Sequence, residues 1–188
     1  MVVGKIAYVN SSIKLALTAN FAASAVALRL FKHSILGPFQ FVNFPCAFTV
    51  VAGSLLGPIY GFAVGVLSFI VSDVILGLGF WTIVTSMLCG LIGAVSGLIW
   101  NGRMASKIEV LVTSYILYLL YDVLSSFLLY LPLMPPLEAF IMGVVGLFLP
   151  VMGGYLYAVG PVTEFSSALI TSILVTKING LGGRVDER

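Results

Sequence analysis

Three acidic residues lie within long apolar stretches of this sequence, where a charged group needs an explanation: Asp73, Asp122 and Glu164. A charged side chain in a hydrocarbon environment costs about 2.5–3.5 kcal/mol, so such residues usually have a role. Polar residues accompany each acid, mostly at the three- to seven-residue spacing of one helical face. These neighbours are Ser68 and Ser72 before Asp73, Tyr115 and Tyr118 before Asp122, and Ser167 and Thr171 after Glu164.

This pattern predicts a binding site for a small molecule, because a few polar groups among aromatic side chains are typical of ligand pockets. Three carboxylates favour a cationic or hydrogen-bond-donating ligand, such as a thiamine-like molecule. For each acid the alternative is an interhelical hydrogen bond or a position at the membrane interface, and for the tyrosines it is helix packing. The predicted ligand-binding residues are Asp73, Tyr115, Tyr118, Asp122, Glu164, Ser167 and Thr171.

Sequence signatures of catalysis are missing. The chain has no Walker A, H-E-x-x-H or G-x-S-x-G motif and no Cys-His pair at nucleophile spacing. His33 is the single histidine, while Cys46 and Cys89 fall in apolar runs and are interpreted as packing residues. We therefore predict no enzymatic activity, no cofactor and no metal site.

The composition indicates a membrane protein. The 188 residues are 60% hydrophobic and 9% charged, and the mean hydropathy is +1.15. A soluble domain carries about 25% charged residues, so these few charges could not cover a water-exposed surface. We predict one all-α domain in the cell membrane, covering residues 1–188.

Six membrane-spanning helices and their orientation are predicted from apolar length and basic residues. Basic residues concentrate at the N-terminus, at 103–107 and at the C-terminus, which places both chain ends inside the cell if six spans are present. Arg29 and Lys32 are the exceptions, and seven spans are the alternative. The predicted helices are 15–31, 41–57, 59–79, 81–100, 108–131 and 161–178, with 133–160 as a partly re-entrant outer loop. This topology brings the three acids to similar depth on the extracellular side.

Small residues at four-residue spacing mark surfaces where helices approach closely. Ala19, Ala23 and Ala27 form such a stripe in the first helix, which could be an internal contact or a docking face for another membrane subunit. The pairs Gly61 with Gly65 and Gly93 with Gly97 favour contacts within the bundle.

The stretch FPCAFTVVAGSLLGPIYGFAVGVLSFIVSD, residues 44–73, resembles the second and third helices of substrate-binding S components of energy-coupling factor (ECF) transporters. The Gly57-Pro58 turn and Asp73 match that pattern, and the alanine stripe resembles the A-x-x-x-A docking motif of these proteins. YDVLSSFLLYL and GPVTEFSSALITSIL resemble their last two helices. The resemblance covers residues 13–180.

The resemblance implies a six-helix S-component-like bundle that binds a scarce micronutrient, usually a vitamin, from outside the cell. It also implies a transmembrane coupling subunit and two ATPase subunits as partners. We therefore predict a high-affinity binding subunit for a small organic nutrient, with no role for nucleic acid. The alternatives are a self-sufficient proton-coupled carrier, in which buried acids relay protons, and a structural membrane subunit without a ligand.

Overall fold

The computed structural model describes residues 10–36, 41–148 and 159–184. This part of the chain is helical throughout, with short connections. The helices are α1 (Ser11–Leu36), α2 (Phe44–Leu56), α3 (Pro58–Leu76), α4 (Phe80–Trp100), α5 (Lys107–Tyr130), α6 (Pro136–Gly146) and α7 (Val159–Arg184).

The helices confirm the predicted all-α fold. Four of them, α1, α3, α4 and α5, are long and apolar enough to cross a membrane. The six-span count and the orientation of the chain ends stay predictions. The basic residues Lys5 and Arg188, which helped to define that orientation, lie outside the described residues.

Two segments differ from the predicted boundaries. The span expected at 41–57 is the 13-residue helix α2, which is shorter than the roughly 20 residues that cross a bilayer core. The side chain of Asn43 accepts a hydrogen bond from the Cys46 N–H, and Pro45 occupies the first turn, so the helix begins at Phe44. The predicted loop 133–160 contains helix α6, and its residues 149–158 lie outside the described part of the chain.

Helix α2 forms the centre of the bundle and packs against α1, α3, α4 and α7. It is apolar around its whole circumference, which is typical of a helix enclosed by others. Of its residues, only Phe44 and Phe48 are partly exposed. Gly57 ends α2 with φ at 112°, a backbone conformation that favours glycine, and Pro58 then begins α3.

Glycines allow α3 and α4 to pack backbone against backbone, as predicted for both glycine pairs. A Cβ atom on Gly65 would lie 2.6 Å from the backbone nitrogen of Gly90, and one on Gly97 would lie 2.5 Å from the backbone nitrogen of Pro58. Gly61 and Gly93 meet in the same way. Side chains at these positions would force the helices apart.

The connections between helices place several polar residues at one end of the bundle, which we call the polar end. Here α1 and α3 finish and α2, α4 and α7 begin. An ion pair joins Arg29 of α1 to Asp73 of α3, and the Asn43 backbone N–H at the start of α2 donates to the Ser167 Oγ of α7. Asp73 near the end of α3 and Glu164 near the start of α7 also lie at this end.

Candidate functional site

Asp73 belongs to a closed set of charged and polar contacts between α1, α3 and α4. Its Oδ1 lies 2.7 Å from the Arg29 Nη1, and its Oδ2 accepts a hydrogen bond of 2.8 Å from the Thr82 hydroxyl. Arg29 also donates to the Ser72 Oγ and stacks on the Phe69 ring, 4.5 Å from its centroid. We call Arg29, Ser72, Asp73 and Thr82 the Arg29–Asp73 cluster.

Both carboxylate oxygens of Asp73 thus have a partner, and the residue is only 1% exposed. This geometry is that of an interhelical anchor, because a buried carboxylate that is paired with a cation and a hydroxyl has little capacity left for a ligand. The ligand-binding role predicted for Asp73 stays a prediction. The sequence pattern missed its partners Arg29 and Thr82, which lie on different helices.

A second set of polar residues joins α2, α5 and α7. The hydroxyl groups of Tyr118 and Thr171 lie 2.7 Å apart, and the Tyr118 hydroxyl is 3.3 Å from the Cys46 carbonyl oxygen. Ser167 accepts a hydrogen bond of 2.8 Å from the Asn43 backbone N–H. We call Asn43, Tyr118, Asp122, Glu164, Ser167 and Thr171 the α5/α7 polar cluster.

Glu164 is the unusual member of this cluster because it is fully buried and the described residues offer its oxygens no hydrogen-bond donor. Neither of its oxygens has a hydrogen-bond partner among the described residues, and the carboxyl group of Asp122 lies nearby. Two neighbouring carboxyl groups in a water-poor interior do not both ionise readily. Such a pair is a costly arrangement for the protein alone.

Two further buried polar atoms in this region have no partner in the described part of the chain: the Asn43 Nδ2 amide and the Ser114 hydroxyl. Each buried polar group that lacks a partner costs about 1–3 kcal/mol. A bound molecule with both donors and acceptors would recover this energy. The sequence pattern missed both residues, although Asn43 precedes a Phe-Pro helix start and Ser114 lies one turn before Tyr118.

Tyr115 lies apart from the α5/α7 polar cluster. Its ring is half-buried and packs edge-on against Phe165, with 6.2 Å between ring centroids. Together they line an apolar groove of about 390 Å³ with Leu111, Pro161 and Val162. The structure therefore brings five of the seven predicted ligand-binding residues together and leaves Asp73 and Tyr115 in other surroundings.

The sequence matches a protein-family model over residues 9–176. That family is described as the ECF-type riboflavin transporter, S component. This chain belongs to that family. No curated protein and no solved structure matches the chain. The S component is thus a membrane-embedded, substrate-binding component of a vitamin transporter and not an enzyme, as predicted from the sequence.

The alanine stripe of this S component lies on an open face of α1. Ala19, Ala23 and Ala27 are exposed, whereas Ala22 and Ala25 of the same helix are buried against the bundle. The stripe is therefore not a contact among the described helices. Its role as a docking face stays a prediction.

Proposed function

We propose that this S component binds riboflavin, or a molecule with the same ring system, at the α5/α7 polar cluster. The observation that carries the proposal is a pair of buried groups that lack partners in the described part of the chain, a carboxyl acceptor on Glu164 and an amide donor on Asn43. The flavin ring ends in an imide, in which one N–H donor lies between two carbonyl acceptors. A carboxylate and an amide N–H₂ group provide the complementary acceptor and donor.

The ribityl chain of riboflavin adds hydroxyl groups, which pair well with other hydroxyls. Tyr118, Ser167 and Thr171 present such groups next to Glu164 along α5 and α7. Riboflavin is neutral, so its hydrogen bonds rather than a charge would account for the acids. A thiamine-like cation is the competing ligand, since the contact between Asp122 and Glu164 would also be relieved by a positive charge.

The test is a titration of the purified protein with riboflavin, followed by the quenching of flavin fluorescence. We expect saturable binding of riboflavin and none of thiamine, and native mass spectrometry should detect a bound flavin after purification. Glu164→Gln should weaken binding by about 10- to 100-fold, because a hydrogen bond to a charged group contributes about 1.5–3 kcal/mol. The matched control is Glu138→Gln, which changes an exposed acid on α6.

Binding of thiamine instead of riboflavin would reject the flavin assignment and retain the site. If Glu164→Gln and Glu138→Gln bind equally well, the α5/α7 polar cluster is not the site. If Asp122→Ala and Glu164→Ala leave every function intact, the chain is a structural subunit. Vitamin uptake by this chain alone, in vesicles with a pH gradient, would instead support a self-sufficient carrier.

We further propose that a coupling subunit, which works with two ATPase subunits, docks on the exposed alanine stripe of α1. Small side chains let a partner helix approach closely, and a large one at the centre of the stripe prevents this. Ala23→Trp should abolish co-purification with the coupling subunit while riboflavin binding persists. Leu17→Trp is the control, because it changes an exposed position about 120° around the same helix. Equal loss in both variants would contradict the proposal.

A further inference from the structure

The two basic residues that break the predicted charge pattern, Arg29 and Lys32, line one cavity at the polar end. The cavity has a volume of about 230 Å³ and lies between the end of α1, the end of α3 and the start of α4. It is lined by Arg29, Lys32, His33, Asp73, Leu76, Gly77 and Trp81.

The charges of this cavity favour an anion over a cation. Its lining contains two basic side chains, Arg29 and Lys32, and one acidic side chain, Asp73. Each Asp73 oxygen already has a partner, Arg29 or Thr82, so Asp73 has little capacity left for a cation. The basic side chains therefore determine what the cavity attracts.

Arg29 retains hydrogen-bonding capacity toward the cavity. Within the described residues, its ion pair with Asp73 and its hydrogen bond to Ser72 both use the Nη1 nitrogen. The side chain is 18% exposed and lines the cavity, so the other edge of the guanidinium group can donate to an oxygen placed there. Arginine forms paired hydrogen bonds with phosphate oxygens, while lysine binds phosphate as a point charge.

We propose that this cavity binds a phosphate group, either in a phospholipid headgroup or as a free phosphate. The surroundings favour the lipid headgroup as the source, because exposed apolar residues flank the lining residues Leu76, Gly77 and Trp81 in the chain. Ile75, Leu78 and Phe80 are 66%, 61% and 56% exposed, and Trp81 is 49% exposed at the edge of the cavity. Tryptophan beside apolar residues is typical of the membrane–water interface, where lipid phosphates lie.

Trp81 also supplies the experimental signal, since the second tryptophan, Trp100, is only 1% exposed and gives a constant background. The protein is stripped of lipid in a phosphate-free maltoside detergent and titrated with phosphatidylglycerol, with diacylglycerol, or with inorganic phosphate. We expect phosphatidylglycerol to shift the Trp81 emission saturably, and diacylglycerol, which has acyl chains without phosphate, to leave it unchanged.

Lys32→Gln should weaken the response to phosphatidylglycerol about fivefold, the contribution of one basic residue near an anionic headgroup. Lys14→Gln is the matched control, because it removes the same charge from the other end of α1, where Lys14 lies over the Tyr60 ring. His33→Gln, which changes another lining side chain at an exposed position, is a second variant that should also weaken the response. Riboflavin binding should be unaffected in all three, because these residues lie outside the α5/α7 polar cluster.

The titration with inorganic phosphate distinguishes the two sources of the phosphate group. A saturable response to inorganic phosphate equal to that of phosphatidylglycerol would assign the cavity to free phosphate, and a response to phosphatidylglycerol alone would assign it to the lipid. The proposal is overturned if diacylglycerol acts as well as phosphatidylglycerol. It is also overturned if Lys14→Gln weakens the response as much as Lys32→Gln, or if no titrant changes the Trp81 emission.

Discussion

Asp73 and Glu164 lie at the same end of the bundle and are equally inaccessible, with 1% and 0% of their surface exposed, but their surroundings are opposite. Asp73 has a cation on one oxygen and a hydroxyl on the other. Glu164 has no donor on either oxygen in the described residues and has a second carboxyl group beside it. Burial alone therefore does not tell an anchoring acid from a ligand-binding one.

The difference between the two acids lies in whether the protein itself completes their hydrogen bonds. An acid whose hydrogen bonds are completed by the protein stabilises the native structure only together with its partners. Removing one partner leaves an uncompensated charge. An incomplete acid destabilises the ligand-free protein and provides binding free energy when a ligand completes it. The same substitution, acid to apolar residue, should accordingly have opposite effects at the two positions.

The largest expected effect is at the anchoring acid. Asp73→Leu leaves the partly buried Arg29 guanidinium without its buried counter-charge, which should lower the free energy of unfolding by about 3–5 kcal/mol. The measurement is thermal unfolding of the protein in detergent, detected by size-exclusion chromatography of heated samples. Glu138→Leu, at an exposed acid, is the control and should change little.

A double variant separates the lost ion pair from damage to the packing. Arg29→Met combined with Asp73→Leu removes both charges, and replacing a whole buried ion pair by apolar residues is often neutral. The double variant should therefore regain most of the stability that Asp73→Leu loses. If it is no more stable than Asp73→Leu, the ion pair does not explain the effect of that substitution.

The second-largest expected effect is a gain in stability, at Glu164. Glu164→Met replaces a buried carboxyl that lacks donors with an apolar side chain of similar length, which should raise the stability of the ligand-free protein by about 1–3 kcal/mol. The same variant should lose the stabilisation that added riboflavin gives to the unsubstituted protein. The measurement is thermal unfolding with and without riboflavin. A loss of stability comparable to that of Asp73→Leu would show that Glu164 is also an anchor.

Much of the fold could be predicted from the sequence because apolar length and glycine spacing are local signals. The limits of α3, α4 and α5 follow the apolar runs, and the Gly57-Pro58 turn was recognisable from two residues. Helix α6 was not predicted, because its apolar segment is followed by Pro150 and several glycines and was interpreted as a loop. The shortness of α2 depends on a cap by Asn43, which periodicity does not reveal.

The sequence predicts the α5/α7 polar cluster better than it predicts the Arg29–Asp73 cluster. Residues on α5 and α7 share faces at helical spacing, so Tyr118, Asp122, Glu164, Ser167 and Thr171 could be grouped from the sequence. The same spacing also included Tyr115, whose ring packs against Phe165 instead. The partners of Asp73 could not be grouped in this way, because pairing between α1, α3 and α4 depends on how three helices are rotated in the bundle. No spacing along one helix contains that information.

A smaller effect tests the hydroxyl at the anchoring acid. Thr82→Val keeps the shape of the side chain and removes the donor to the Asp73 Oδ2, which should cost about 1.5 kcal/mol for a hydrogen bond to a charged group. Thr85→Val on the same helix is the matched control, since the Thr85 hydroxyl donates only to the Trp81 backbone carbonyl at a less buried position. Equal changes in unfolding midpoint for the two variants would mean that Asp73 does not depend on Thr82.

The smallest effect should come from giving Glu164 a donor without removing it. Asp122→Asn replaces the neighbouring carboxyl by an amide of nearly the same shape, whose N–H₂ group can donate to a Glu164 oxygen. The contact between two carboxyls becomes an ordinary hydrogen bond, with an expected gain in ligand-free stability of about 0.5–1.5 kcal/mol. Riboflavin should then bind more weakly, because Glu164 already has one hydrogen-bond donor and gains less from the ligand.

Combining Asp122→Asn with Glu164→Met should abolish this gain in stability, since the amide then has no carboxylate to bind. The two substitutions should therefore be non-additive in unfolding measurements. Additive effects would mean that Asp122 and Glu164 act independently and that the incomplete acid is not the feature distinguishing the two clusters.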